Sequence, residues 1–418
     1  MHKKIGIIIF ACIIIALPIL TLVKLPKEKA PFSENENRYL SEFPTISLSS
    51  IKDETFMNGF DSWFSDRFYG REQWISAMND SERLIGKTEI STVYTKDDRM
   101  MQVLSDYDDI GAAYDADKIH TNLAVINSFA AKHPEIPTYF MLCPTSVGVY
   151  GNSLLPSAVK NVSVDEKDMI ESCYNELSSV TPINIYNALK EHDSEYIYYR
   201  TDHHWTSLGA YYAYQSAGAE LGYTPYELKD FTKETASTEF QGTLFSKTLD
   251  QSVTKDEIDF YTLADNSATP SMTTSNGLDK EASYDSIFFR DYLDVKDKYA
   301  SYTGQNVAVA TISRNKASDA ANDSNISDSE NRSILVIKDS YANSMIQFLI
   351  NNYDTVTMID LRYTNQSISN LVNVEDYDQV LFLYNCITFS FFKQRRKGAF
   401  FLAFLGREED CVEFFWGK

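Results

Sequence analysis

Ser333-Ile334-Leu335-Val336-Ile337-Lys338-Asp339-Ser340 is the stretch on which the fold turns. The four apolar residues Ile334 to Ile337 read as a buried strand, Asp339-Ser340 as a turn, and Tyr341 to Asn351 as a helix. Thr355 to Ile359 and Gln379 to Tyr384 repeat the strand pattern, with a short helix over Ile368 to Val372 between them. Apolar runs this continuous mark strands covered on both faces of a parallel sheet. Ser340 falls where the strand gives way to the helix. A hydroxyl there is exposed, and the unpaired N–H groups of a helix start point toward it. A serine at such a turn also serves as a plain helix cap, so its chemistry depends on what else the chain supplies.

Moving upstream, helical and strand signals alternate. Asp115 to Lys132 has helical spacing, Ile136 to Leu142 is a short apolar strand, Val164 to Leu177 is helical, and Ile183 to Tyr186 is strand-like. A helical Asn187 to Glu191 leads to a further strand, Tyr196 to Tyr199. This alternation is that of an α/β sheet. The last strand runs into Arg200-Thr201-Asp202-His203-His204-Trp205, which holds two of the six histidines of the chain. Thr206 or Ser207 caps a helix over Leu208 to Leu221, so the motif lies in a strand-to-helix loop, where α/β sheets bind ligands. Residues two apart in an extended loop share a side, which pairs Asp202 with His204 and turns His203 away.

The remainder is less regular. Phe56, Phe60, Phe64 and Phe68 give Phe56 to Trp74 the period of one helix, and Glu89 to Val103 reads as short strands around Lys96-Asp97-Asp98-Arg99. Phe240-Gln241-Gly242-Thr243-Leu244-Phe245 is a turn between aromatics. Thr248 to Asp297 suggests antiparallel strands within a β-rich insertion over about 225–332. Residues 315–331 are polar and low in complexity. The tail 391–418 is basic, then apolar, then acidic and aromatic, a composition that would suit a partner-binding or membrane-surface helix.

The 418 residues allow one large domain or two ordinary ones, and a hydrophobic fraction of 44% allows a sizeable core. A formal net charge of −21 disfavours nucleic acid as a partner. The five cysteines show no CxxC pair and no histidine at ligand spacing, so they do not outline a zinc site. Lys3-Lys4 precede the apolar run Ile5 to Val23, broken only by Pro18. That length suits a membrane crossing, the flanking lysines place the N-terminus inside, and no small-residue cleavage site follows. The expectation is a cell-membrane protein, single-pass through residues 5–23, with the bulk of the chain extracytoplasmic. The divisions expected are a stub and signal-anchor helix at 1–30, a linker and helix at 31–80, an α/β domain at 81–390, and the tail at 391–418.

Asp202-His203-His204-Trp205 resembles the signature of the DHHW protein family of bacterial exported proteins, which is similar to the AlgX/AlgJ-type acetyltransferases. Glu36-Asn37-Arg38, Phe60 and Asp66-Arg67-Phe68-x-x-Arg71 resemble the N-terminal pattern of that group; Lys338-Asp339-Ser340 resembles its Gly-Asp-Ser block, with lysine in place of glycine; and Tyr384-Asn385 resembles a later strand end. The resemblance implies an SGNH-hydrolase-like (flavodoxin-like), mostly parallel sheet with helices on both faces. It implies Ser340 as nucleophile, His204 as general base and Asp202 as its orienting carboxylate. The Ser340 N–H, Gly242 and Asn385 would be oxyanion partners, with His203 structural or in contact with substrate. Trp205 stands where the zinc-bearing palmitoyltransferase motif has cysteine, so that motif is not matched.

The function this implies is an extracytoplasmic O-acyltransferase or esterase acting on cell-surface polysaccharide, with no metal or organic cofactor required. A membrane-bound acyltransferase that delivers the acyl group is a second partner class under this resemblance. Two other readings stand beside it. The same fold could be a non-catalytic glycan-binding or assembly accessory protein, and Asp202, His203 and His204 could be metal ligands.

Overall fold

The computed structural model describes residues 2–25, 30–33, 38–107, 109–265, 268–275, 281–316 and 332–391. Glu36 and Asn37, most of the polar run at 315–331 and the tail beyond 391 lie outside the described residues. The chain divides into two compact units, Met1–Ser91 with Phe245–Val253, and Thr92–Leu244 with Thr254–Lys418.

The first unit is helical. Helix α1, His2–Val23, contains the span Ile5–Val23, whose mean hydropathy of 3.0 and length of 19 residues suffice to cross a membrane. The single helix expected over 56–74 is two, α2 at Thr55–Arg67 and α3 at Arg71–Leu84. Gly70 separates them at φ +71°, a left-handed conformation that no helix interior accommodates and that glycine adopts without strain. Along α2, Phe56 stacks on Phe60 and Phe60 on Phe64, while Phe43 meets Phe56, Phe60 and Trp63 edge-on. Asp66 and Arg67 hold the backbone of Ser41: Asp66 Oδ2 accepts its N–H at 2.7 Å and Arg67 donates to its carbonyl at 2.6 Å.

The second unit is built on one sheet. Besides short strands between Val93 and Ala113, its strands in chain order are β1 (Thr138–Cys143), β2 (Thr181–Pro182), β3 (Phe231–Phe240), β4 (Asp256–Leu263), β5 (Ala268–Ser275), β6 (Glu281–Tyr284), β7 (Val309–Lys316), β8 (Ser333–Lys338), β9 (Thr355–Ile359) and β10 (Gln379–Asn385). Eight of them form a sheet in the order β6-β5-β7-β9-β8-β10-β1-β2. Strands β9, β8, β10, β1 and β2 pair in parallel, and β6, β5 and β7 extend the β9 edge antiparallel. The result is a mixed α/β fold with a large, mostly parallel sheet. The insertion expected over 225–332 therefore divides. Strands β3 and β4 form a separate ribbon, and β5 to β7 become part of the main sheet.

Alternate residues of the central strands feed two cores. On β8, Ile334 and Val336 join the cluster containing α6 (Ser207–Leu221) and α7 (Tyr341–Leu349), while Leu335 and Ile337 join the cluster containing α4 (Ala116–Lys132) and α5 (Glu166–Asn175). Strand β10 splits likewise, Leu381 and Leu383 against Val380 and Phe382. Period-two side chains thus explain why an unbroken apolar run, rather than an alternating one, is needed at each central strand.

Two expected strands are not strands. Only Thr181–Pro182 pairs with β1, and Tyr186 already begins a helix. Tyr196 to Tyr199 makes one isolated bridge, Tyr198 to Trp205, rather than a ladder. Its aromatic side chains are apolar for another reason: Tyr198 and Tyr199 are completely buried, as core filling off the sheet.

Candidate active site

The Asp-His-His-Trp stretch is a hairpin-like loop pinned at its neck. Tyr199 N–H donates to the His204 carbonyl at 3.2 Å and Thr206 N–H to the Ile197 carbonyl at 3.0 Å. Thr206 caps α6 by accepting from Gly209 N–H at 3.3 Å. Gly209 lies so close to the Ile197 carbonyl that a Cβ would come within 2.2 Å of its oxygen. From β4, the buried carboxylate of Asp256 accepts the N–H groups of Arg200 and Thr201 at 2.7 and 2.8 Å and the Thr201 hydroxyl at 2.5 Å. Burial raises its pKa, and these bonds oppose the rise. Trp205 is fully buried, and its indole N–H is shared between the Tyr341 carbonyl and Ser344 Oγ, each at 3.0 Å.

Ser340 heads α7 at the carboxyl end of β8, with its backbone in the right-handed helical region. The turn is held by Asp339, whose Oδ1 accepts Tyr341 N–H at 2.9 Å and whose Oδ2 accepts both Asn385 N–H at 2.8 Å and its Nδ2–H at 2.6 Å. The Lys338 side chain turns into a buried polar group, donating to Asn306 Oδ1 at 3.0 Å and Asn343 Oδ1 at 2.7 Å beside Asp360. Lysine in place of glycine is thus accommodated by partners of its own.

The loop and the turn meet at one line of hydrogen bonds. Ser340 Oγ lies 2.7 Å from His204 Nε2, and His204 Nδ1 lies 2.6 Å from Asp202 Oδ1. The carboxylate fixes the tautomer: Nδ1 carries the proton, which leaves the Nε2 lone pair to accept the serine O–H. Asp202 Oδ1 also accepts His204 N–H at 3.0 Å, and its Oδ2 accepts the Thr243 N–H at 2.7 Å and hydroxyl at 3.0 Å. Burial alone would raise the Asp202 pKa, but His203, His204 and these bonds together hold it well below the usual carboxylate range. Asp202, His204 and Ser340 are 2%, 5% and 8% exposed, so the line is shielded from solvent along its length. The Tyr299 ring stacks flat on the imidazole, centroids 3.8 Å apart and planes 8° apart, and its hydroxyl donates to the Ser340 carbonyl at 2.9 Å.

The other expected site residues fall nearby in different roles. The Ser340 N–H finds no hydrogen-bond partner among the described residues. Gly242 packs on Asp202, where a Cβ would overlap the carboxylate at 2.2 Å, and its N–H donates to Thr201 Oγ1 at 3.1 Å. Both amide hydrogens of Asn385 are taken, one by Asp339 and one by Thr388 Oγ1. His203 is half-exposed, with Nδ1 2.6 Å from Thr243 Oγ1. Asp202, His203 and His204 offer ligand atoms within 4.8 Å of one another. Both nitrogens of His204 and one of His203 are committed to hydrogen bonds, so a metal would have to break the line to bind there. The sequence places Thr243 and Asp339 in turns without a role, and it does not single out Tyr299 or Asp256. Thr243 and Asp339 adjoin residues that it singled out; Tyr299 and Asp256 carry no local signal.

Ser340, His204 and Asp202 thus stand in one hydrogen-bonded line at the carboxyl edge of a large, mostly parallel sheet, in a mixed α/β fold. The chain belongs to the DHHW protein family, whose model matches residues 36–110 and 89–359. It is similar to a DHHW family protein from Eubacterium siraeum at 22% identity, over 74% of this chain and 95% of that one, with a TM-score of 0.58. It is also similar to Bacillus cereus PatB1, solved with a sulfonyl adduct, at 21% identity over 71% of this chain and 97% of that one, with a TM-score of 0.56. The O-acetyltransferase domain of Pseudomonas putida AlgJ matches over 70% of this chain and 91% of that one at 12% identity, with a TM-score of 0.37. No curated protein sequence matches the chain significantly.

Proposed function

We propose that the protein is a membrane-anchored, extracytoplasmic O-acyltransferase or esterase acting on cell-surface polysaccharide. The observation that carries this reading is the line Ser340 Oγ–His204 Nε2–Asp202, at 2.7 and 2.6 Å. Such a line serves acyl transfer because a neutral hydroxyl is a weak nucleophile until a base takes its proton. Ser340 Oγ attacks the donor carbonyl as its proton passes to His204 Nε2. The carbonyl oxygen becomes an oxyanion, for which the Ser340 N–H at the helix start is the free donor. The oxyanion collapses, the donor leaves with the proton from His204, and the acyl group stays on Ser340 as an ester. A sugar hydroxyl, or water in an esterase, then gives its proton to His204 and attacks that ester, and His204 returns the proton to Ser340 Oγ as the acyl–serine bond breaks. Asp202 remains ionised throughout and stabilises the imidazolium.

Exposure of Ile5–Val23 as one long apolar helix supports the anchor, and the family resemblance supports an exported, glycan-directed role. The test is hydrolysis of 4-nitrophenyl acetate by the wild type and Ser340→Ala, with mass analysis after phenylmethylsulfonyl fluoride. The wild type should gain one sulfonyl group and the variant none. Equal hydrolysis rates, or equal labelling, would remove Ser340 from the chemistry and leave the accessory-protein reading.

A further inference from the structure

The second unit carries an open cleft of about 630 Å³ that the acyl-transfer chemistry does not use. Its volume lies inside the range of small-molecule sites, roughly 300–1,000 Å³. One wall is Thr303–Val307, in the same stretch that sends the Tyr299 ring onto His204 and the Asn306 amide onto Lys338. The other wall is aromatic, with Tyr284, Phe288, Phe289 and Tyr292. The walls are tied together by Phe289 N–H to the Ser301 carbonyl and Thr303 N–H to the Ile287 carbonyl, each at 2.9 Å, and by the Phe288–Tyr302 bridge. Gly304, at φ +73°, lets the Phe289 ring pack against the backbone, where a Cβ would sit 3.3 Å from it. The cleft is therefore preformed.

Its chemistry selects the occupant. Aromatic faces suit the C–H faces of pyranose rings, and polar side chains between them suit ring hydroxyls. Tyr284 is 38% exposed, and the exposed Asp285, Asp291 and Gln305 side chains make no hydrogen bond among the described residues. The nearest cation, Arg290, is committed to Glu234 by two bonds of 2.7 and 2.6 Å. The remaining charged side chains of the lining are the two carboxylates, which repel acidic sugars and phosphates, beside the neutral Gln305 amide and the lining hydroxyls.

We propose that this cleft binds a pyranose oligosaccharide lacking carboxylate and phosphate groups, as the acceptor chain whose hydroxyl is presented to Ser340. The acceptor role rests on the acyl-transfer reading; the binding does not. The test titrates full-length protein in detergent micelles calorimetrically with chitohexaose, cellohexaose, hexagalacturonate and pentalysine. A neutral hexasaccharide should bind saturably and the acidic one should not. Tyr284→Ala and Gln305→Ala should each weaken binding about fivefold. Gln305 has no partner to lose, so that variant decides the matter if Tyr284→Ala fails to fold. The proposal is overturned if neither neutral hexasaccharide binds, if both variants bind as the wild type does, or if hexagalacturonate or pentalysine binds more tightly. Ester hydrolysis by Ser340→Ala reads the other proposal: an unchanged rate there would remove acyl transfer while leaving the calorimetric result standing.

Discussion

Lys338 Nζ lies 3.5 Å from Asp360 Oδ2, and the two side chains are 4% and 0% exposed. Burial lowers the lysine pKa, and Asp360 opposes the drop. Asp360 is also held by Arg362 in a two-bond pair at 2.8 and 2.6 Å. A buried ammonium with three oxygen partners two residues before Ser340 makes the turn depend on that charge. Lys338→Met should leave Asn343 Oδ1 and Asp360 without the ammonium, with Asn306 Oδ1 keeping only the Asn343 amide at 3.2 Å, and cost about 2–4 kcal/mol in a denaturant titration. Lys338→Gly, which restores the residue the family pattern leads one to expect, should be destabilised as well. A denaturation midpoint unchanged in both would mean that the network holds nothing.

Asp202→Asn keeps the shape of the carboxylate but not its charge, and an amide can present its N–H to Nδ1. The imidazole would then carry its proton on Nε2, facing Ser340. Hydrolysis of 4-nitrophenyl acetate should fall about 10³–10⁴-fold. A loss under tenfold would show that Asp202 does not set the tautomer.

Tyr299 acts on the line through its ring and its hydroxyl separately. Tyr299→Phe keeps the stack on His204 and loses the bond to the Ser340 carbonyl, worth about 1 kcal/mol, or roughly fivefold in kcat with KM unchanged. Tyr299→Ala loses both and should fall further. If the two variants have the same kcat, the ring does not orient the imidazole.

Much of this site was legible in the sequence because its parts are local. Asp202 and His204 share a loop, and Ser340 ends a run of apolar residues that only a central strand explains. What the sequence hid are the long-range supports. Tyr299 and Asp256 lie in the segment whose periodicity is weakest, and nothing about either residue shows that it reaches back to 204 or 201. Tyr196 to Tyr199 misled for a related reason: aromatic and β-branched runs fill cores as readily as they form ladders. The four-residue aromatic spacing runs to Phe68, just past the end of α2 at Arg67, so it hid the break that Gly70 makes before α3.

Gly242→Ala tests the close approach that a turn-like sequence did not disclose. A Cβ there would sit 2.2 Å from Asp202 Oδ2, so either the carboxylate or the 240–243 turn must move. The expected cost is about 1–3 kcal/mol of stability, with a larger fall in ester hydrolysis than Thr243→Ala produces. Wild-type stability and rate in Gly242→Ala would mean that the turn yields freely.

Glu166 should give the protein a pH dependence of stability that falls in the neutral range. It is 2% exposed, and its oxygens accept the Thr145 N–H at 2.6 Å and hydroxyl at 2.5 Å. Burial raises its pKa to about 7, against those two bonds and one with Cys386, from 4.5 in the unfolded chain. Between those two values the folded protein holds a proton that the unfolded chain has released, so stability falls as pH rises through that window. Below it both states are protonated and nothing is lost; above it the penalty levels off at about 3 kcal/mol. Denaturant midpoints measured from pH 4.5 to 8 should therefore decline in the wild type. Glu166→Gln, which cannot ionise and can still donate to Thr145 Oγ1, should flatten that decline. A variant whose midpoints fall as steeply as those of the wild type would place the titrating group elsewhere.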